Sequence, residues 1–85
     1  MRHSYNVVAH LEALDALPRS GKRRELVLDY LRGLKDFAYL GGDFQLKDPE
    51  SLRVVEVNLV SGYAVTWWID EPVAQVIVID IRPTS

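Results

Sequence analysis

Residues 51–83, SLRVVEVNLVSGYAVTWWIDEPVAQVIVIDIRP, decide the reading of this chain. They divide into three apolar runs separated by two turn signals. Ser61-Gly62 supplies the positive φ that a two-residue hairpin loop needs, and Glu71-Pro72 removes a ladder donor and ends the middle run. The runs are rich in Val, Ile, Trp and Tyr, which fit a pleated, half-buried surface. The spacing predicts strands over 52–60, 63–70 and 74–82, joined as an antiparallel meander. In the middle strand Tyr63, Val65, Trp67 and Ile69 share one face, and alternation predicts that this face is the core. In the last strand Val76 and Val78 fall on one face, and Ile77, Ile79 and Ile81 on the other. A strand apolar on both faces is central or covered on each side. Two covers are open to the second face: a bound partner, or the connector at 39–51 folded over it.

Upstream, Val7, Leu11, Leu14 and Leu17 recur at helical spacing behind Ser4 as N-cap, which predicts a helix over 4–17. A short strand over 5–8 is the competing reading of the same start. Pro18 and Gly21 break the chain. A second helix is predicted over 22–38, with Val27, Tyr30, Leu31, Leu34 and Ala38 on its apolar face. Gly33 weakens it by about 1 kcal/mol relative to Ala. The expected fold class is α+β. An N-terminal αα-hairpin packs on one face of a C-terminal three-stranded antiparallel meander, in one domain over 1–85. In the connector, Gly41-Gly42 stops the helix and Asp48-Pro49-Glu50-Ser51 forms a turn.

Composition narrows the function classes. The 85 residues contain 48% hydrophobic residues, enough for one core, and a net charge of −2, which disfavours a broad nucleic-acid-binding surface. No cysteine is present, so disulfides and thiolate metal sites are ruled out. No apolar run approaches the roughly 20 residues that span a bilayer, and no signal-peptide core precedes the domain, which predicts a cytoplasmic protein without membrane contact. Gly41-Gly42 lacks the spacing of a phosphate loop. His3 and His10 have no third ligand in register, so neither a metal nor another cofactor is expected. Asp29 and Asp36 read as solubilising charges on the wet side of the second helix, and Ser20 has no base beside it. The densest basic run, Arg19, Lys22, Arg23 and Arg24, sits at the positive end of the second helix's macrodipole, where capping does not account for it. It reads either as a phosphate or partner contact or as a solvated corner. Trp67 and Trp68 must face opposite ways. Trp68, outside the core, is then free to stack on a base, fill a partner's pocket or lie as a lid.

The order helix, helix, connector, strand, Ser61-Gly62-Tyr63 turn, strand, acidic turn Asp70-Glu71, strand ending Ile81-Arg82 resembles the RelE/ParE toxin superfamily over nearly the whole chain. Many members also carry a short first strand. The resemblance implies a toxin of a type II toxin–antitoxin pair, neutralised by a cognate antitoxin. Its target would be mRNA on the ribosome in the RelE branch or DNA gyrase in the ParE branch. By the same resemblance Arg82 stands at a catalytic arginine, with Arg53 as a second candidate. Ala64 stands where the family has an arginine, Glu56 and Asn58 stand near its lysines, and the tyrosine or histidine that some members carry at the C-terminus has no counterpart. A site that stabilises a developing phosphorane needs several cations, so ribonuclease activity is not expected. The other class of function open to this scaffold is a non-enzymatic interaction module without toxicity. Contact candidates are Trp68, Ile77, Ile79, Arg19, Lys22 and Arg23, with an antitoxin or a second copy of the chain as the partner.

Overall fold

The computed structural model describes residues 4–84. The chain forms strand β1 (Asn6–Ala9), a single-turn helix α1 (Leu11–Leu14), and the long helix α2 (Lys22–Phe37), which runs into a 3₁₀ turn at Ala38–Leu40. Strands β2 (Phe44–Lys47), β3 (Val54–Val60), β4 (Tyr63–Asp70) and β5 (Gln75–Pro83) follow. All five strands join one sheet in the order β1-β5-β4-β3-β2, with β1 parallel to β5 and every other pairing antiparallel.

This corrects the expected αα-hairpin on a three-stranded meander. The fold is α+β with one long helix, and the meander β3-β4-β5 forms the middle of a wider, mixed sheet. The segment expected as the first helix begins as a strand: Asn6-Val7-Val8-Ala9 pairs with Gln75–Val78, and only one helical turn, Leu11–Leu14, follows it. The two adjacent valines suit a strand, and pairing with β5 satisfies backbone groups that a four-residue helix could not. Leu11, assigned to the helical stripe, is exposed, whereas Leu17 is buried. The connector extends the sheet as β2, beside β3, and its residues Asp48 and Pro49 border the outer face next to Ile79, Asp80 and Arg82.

Helix α2 keeps the periodicity read from the sequence, with Val27, Leu31 and Leu34 buried and Ala38 continuing the stripe. They pack with Ala13 and Leu17 on Tyr63, Val65 and Trp67 of β4 and on Val76, Val78 and Ile81 of β5. Ile81 therefore lies on the face opposite to the one assigned by strict alternation. The reason is a β-bulge. Trp67 pairs with Val78 but Thr66 pairs with Asp80, so Ile79 is an extra residue and every side chain beyond it changes face.

The hairpin at Ser61-Gly62 has φ of 50° and 83° at its two loop residues, the left-handed pair that matches strand twist. Gly42 meets a different constraint. A Cβ there would lie 2.7 Å from the Val57 carbonyl oxygen, so β2 approaches β3 this closely only with glycine at its entrance.

Candidate functional site

The helical layer covers one side of the sheet. Pairing assigns the side chains of the other. Val8 of β1 lies beside Ile77 of β5, and Ile77 beside Trp68 of β4. Val55 of β3 stands one residue beyond the Glu56–Trp67 pair and so takes the place next to Trp68, with Leu46 of β2 beyond it. One apolar row thus crosses all five strands on the open side, four strand spacings or roughly 19 Å wide. Phe44 and Val57 form the start of a second row, which continues into Thr66 and Asp80. Val55 and Val57 are buried although no helix lies over them, whereas Phe44 and Leu46 are about half exposed, at 44% and 53%.

Arg53 lies over this face. Its guanidinium carbon sits 3.7 Å from the centroid of the Trp68 ring, a cation–π contact that holds the long side chain flat against the row. Beyond the second row, Arg82 pairs with Asp80, Nε to Oδ2 at 2.6 Å. The bulge turns Ile79 and Asp80 toward the same groove, a hollow of about 370 Å³ lined by Leu46, Val55, Thr66, Ile79, Asp80 and Arg82. Five of the residues selected from sequence therefore share one surface: Arg53, Trp68, Ile77, Ile79 and Arg82.

Arg19, Lys22 and Arg23 are elsewhere. They are exposed around the start of α2, in the helical layer, and the Arg23 guanidinium comes within 4.0 Å of where a Cβ on Gly62 would stand. Arg24 is partly occupied, donating to the Pro18 carbonyl at 3.2 Å. Asp29 makes a surface ion pair with Arg32 at 2.7 Å. His10 is exposed at the end of β1, and the His3 half of the histidine pair lies outside the described residues. Among the described residues no three His, Cys, Asp or Glu side chains converge as metal ligands.

Glu56 and Asn58, aligned near the lysines of the toxin family, point into the helical side instead, opposite Trp67 and Val65. Glu56 is a clamp on β2: its carboxylate accepts from the Gly42 amide at 2.8 Å and from Gln45 Nε2 at 2.7 Å. Asn58 Oδ1 accepts from Trp67 Nε1 at 2.9 Å and from the Tyr30 hydroxyl. Trp67 Nε1 also reaches the Tyr30 oxygen at 3.1 Å. Burial pushes the Tyr30 hydroxyl up to about 12; the Asp43 and Glu56 charges add to this, and the Trp67 hydrogen bond opposes it. This trio is a satisfied polar knot under α2, with its hydrogen bonds spent on holding helix to sheet.

Sequence reading missed Val8, Phe44, Leu46 and Val55 as members of the open face. The alternation of Phe44-Gln45-Leu46-Lys47 is the signal that could have found β2, and the two-faced apolar character of β5 could have called for a strand on its other side. No protein-family model, no curated protein and no solved structure matches the chain.

Proposed function

We propose that the chain is a toxin of RelE/ParE type that engages its target and its antitoxin through protein contacts, and that it does not cleave RNA. The observation that carries this reading is the sheet face that no helix covers, with its row Val8–Ile77–Trp68–Val55–Leu46, exposed at Val8 and Leu46. An apolar strip across a whole sheet, beside polar groups at Asp80, Arg82 and Thr66, has the apolar centre and polar rim of a protein interface. A strand ahead of the helices adds to the resemblance, since many members of the superfamily begin in this way.

The chemistry of the same face argues against cleavage. Ala64 lies directly opposite Arg82, and Arg82 has the carboxylate of Asp80 beside it rather than a second cation. Each cationic or hydrogen-bond donor missing from a phosphoryl-transfer site costs on the order of 3 kcal/mol of transition-state stabilisation. A protein target, DNA gyrase in the ParE manner, suits this surface better than mRNA.

Expression of the chain in a bacterial host, with and without the product of its neighbouring gene, tests the reading. Growth arrest with a DNA-damage response, relieved by the neighbour and lost in Trp68→Ala, is the expected result. Ribosome-dependent mRNA cleavage that disappears in Arg82→Ala would overturn it. The lack of a cationic cluster on the open face also suits a second reading, a non-toxic interaction module, and harmless expression with Trp68-dependent capture of the neighbour's product would favour that instead.

A further inference from the structure

We infer that the flank of α2 turned toward β3 is a docking groove for a basic amphipathic helix of a partner protein. Helix α2 carries two apolar stripes. Val27, Leu31, Leu34 and Ala38 form the buried one. Leu26, Tyr30, Gly33 and Phe37, each one position earlier, repeat the same spacing, and Leu40 continues it past the helix end. The fold does not bury this second stripe: Leu26, Phe37 and Leu40 are 42%, 59% and 68% exposed. Its C-terminal part borders a hollow of about 400 Å³, closed on the sheet side by Asn58 and Gly41. Gly33 lines the hollow, and a Cβ there would stand at an ordinary 3.7 Å from the Phe37 ring. The chain's own packing therefore does not call for glycine, a poor helix former, at this mid-helix position, and its missing side chain leaves room for a partner's to approach the backbone.

The sheet has room for a second helix beside α2. Its strands span roughly 19 Å, about twice the width of one helix. Helix α2 packs on β4 and β5, and the margin beyond it, with Gln45, Val54 and Glu56 on the helical side, carries no helix. A partner helix laid there sets its own i, i+4, i+7 apolar residues against the exposed stripe. Charge selects its chemistry. Asp29 and Asp36 border the stripe on the solvent side. Asp43 and Glu56 stand on the sheet side, where their hydrogen bonds to β2 and β3 leave their charges in place and both act on the Tyr30 hydroxyl. The negative end of the α2 macrodipole adds to them. The cations nearby are paired or turned elsewhere. Arg32 is held by Asp29, Lys35 lies with Tyr5 and Asn6 on the β1 flank, and Lys22 and Arg23 stand at the other end of the helix. A second copy fits this border badly. Antiparallel pairing of two stripes keeps their solvent borders together and sets Asp29 of each beside Asp36 of the other, and parallel pairing gathers like-charged helix ends. The inference is separate from the toxin reading, which rests on the opposite face of the sheet.

Two synthetic amphipathic helices test it, each with leucine on one face and either lysine or glutamate on the other. Titrated into the isotope-labelled full chain, the lysine peptide should shift the amides of Leu26, Gly33, Phe37 and Leu40 and leave those of Val8 and Trp68 in place. The glutamate peptide should bind at least about tenfold more weakly. Gly33→Gln fills the groove with a better helix former, so it should melt no lower than wild type and still bind the lysine peptide about tenfold more weakly. Asp29→Asn combined with Asp36→Asn, both on the exposed border, should weaken binding by about the same factor and flatten its salt dependence. No binding of the lysine peptide at about 1 mM, shifts centred on the open sheet face, equal binding of the glutamate peptide, or indifference to Gly33→Gln would each overturn the inference. Shifts at the same residues on concentrating the chain alone would make a second copy the occupant, and would overturn it too.

Discussion

Trp67 is fully buried at the centre of β4, yet its indole N–H is shared between Asn58 and Tyr30. Two different energies are therefore invested in one side chain, and two substitutions separate them. Trp67→Ala removes the ring and should cost about 3–5 kcal/mol. Trp67→Phe keeps most of the apolar volume but strips the donor, leaving acceptors under α2 short of a partner, and should cost about 1–3 kcal/mol. Urea midpoints of the two variants measure the split, and equal losses would mean that the hydrogen bonds contribute little. Tyr30, in the same knot, is expected to respond to alkali. Its pKa is raised in the folded chain from an ordinary value near 10 to about 12, so its contribution to stability is fully present below pH 10. That contribution is lost as pH rises from about 10 to about 12, because the unfolded chain ionises first. Absorbance titration at the tyrosinate band should show a late-ionising component that disappears in Tyr30→Phe, and unfolding midpoints should fall across the same window. Tyrosinate formation complete before pH 11 would contradict this.

Among the elements, β5 carries the least expected feature. The extra residue at Ile79 places Val76, Val78 and Ile81 together on the core side, although strict alternation sets Ile81 with Ile77 and Ile79. Truncation should read out the bulge directly. Ile81→Ala is expected to cost about 2–5 kcal/mol, as in a closed core, and Ile79→Ala about 1–2 kcal/mol because it is only partly buried, on the open face. Similar losses at both positions would argue for an unbulged strand. At the start of β2, Gly42→Ala drives a methyl group against the Val57 backbone. Backbone cannot swing aside as a side chain does, so the clash should cost about 1–3 kcal/mol, or detach β2 from β3. Thermal melts measure the first outcome, and faster exchange of the Val57 and Leu59 amides the second. Leu59 is a useful reporter, because its amide donates to the Asp43 carboxylate at 2.7 Å just ahead of β2.

For the molecule as a whole, the sheet is covered by helices on one side only, and its strands differ in how securely they are held. β4 and β5 lie between neighbours and carry most of the core, whereas β1 and β2 are four-residue edges. Local opening energies follow such differences. Hydrogen exchange should therefore be slowest in β4 and β5 and fastest in β2. Protection in β2 equal to that in β5 would show that another strand or segment covers its edge. No helix among the described residues is long and apolar enough to cross a membrane.

For helix α2, the β3–β4 hairpin and the core face of β4, the amino-acid sequence was sufficient by itself. Helix α2 follows from the recurrence of Val27, Leu31 and Leu34 on one face. The β3–β4 hairpin follows from Ser61-Gly62, whose backbone preference depends on two adjacent residues. The core face of β4 follows from alternation, which holds as long as no residue is inserted. It also sufficed to group Trp68, Ile77 and Ile79 as surface apolar residues seeking a cover. Tertiary structure alone decided the rest. Residues 6–9 and 44–47 are too short to have a conformation of their own, and each became a strand because a neighbour nearly seventy residues away in one case, and about ten in the other, offered unpaired backbone groups. The apolar excess of β5 was read as calling for a cover on its outer face, and part of it is explained by β1 alongside. The bulge at Ile79 comes from the pairing of two strands, and no residue within β5 announces it. Glu56 and Asn58 were turned away from Arg82 by the same sheet geometry, since neighbours along a strand point to opposite sides and only the packed helix determines which side is inside.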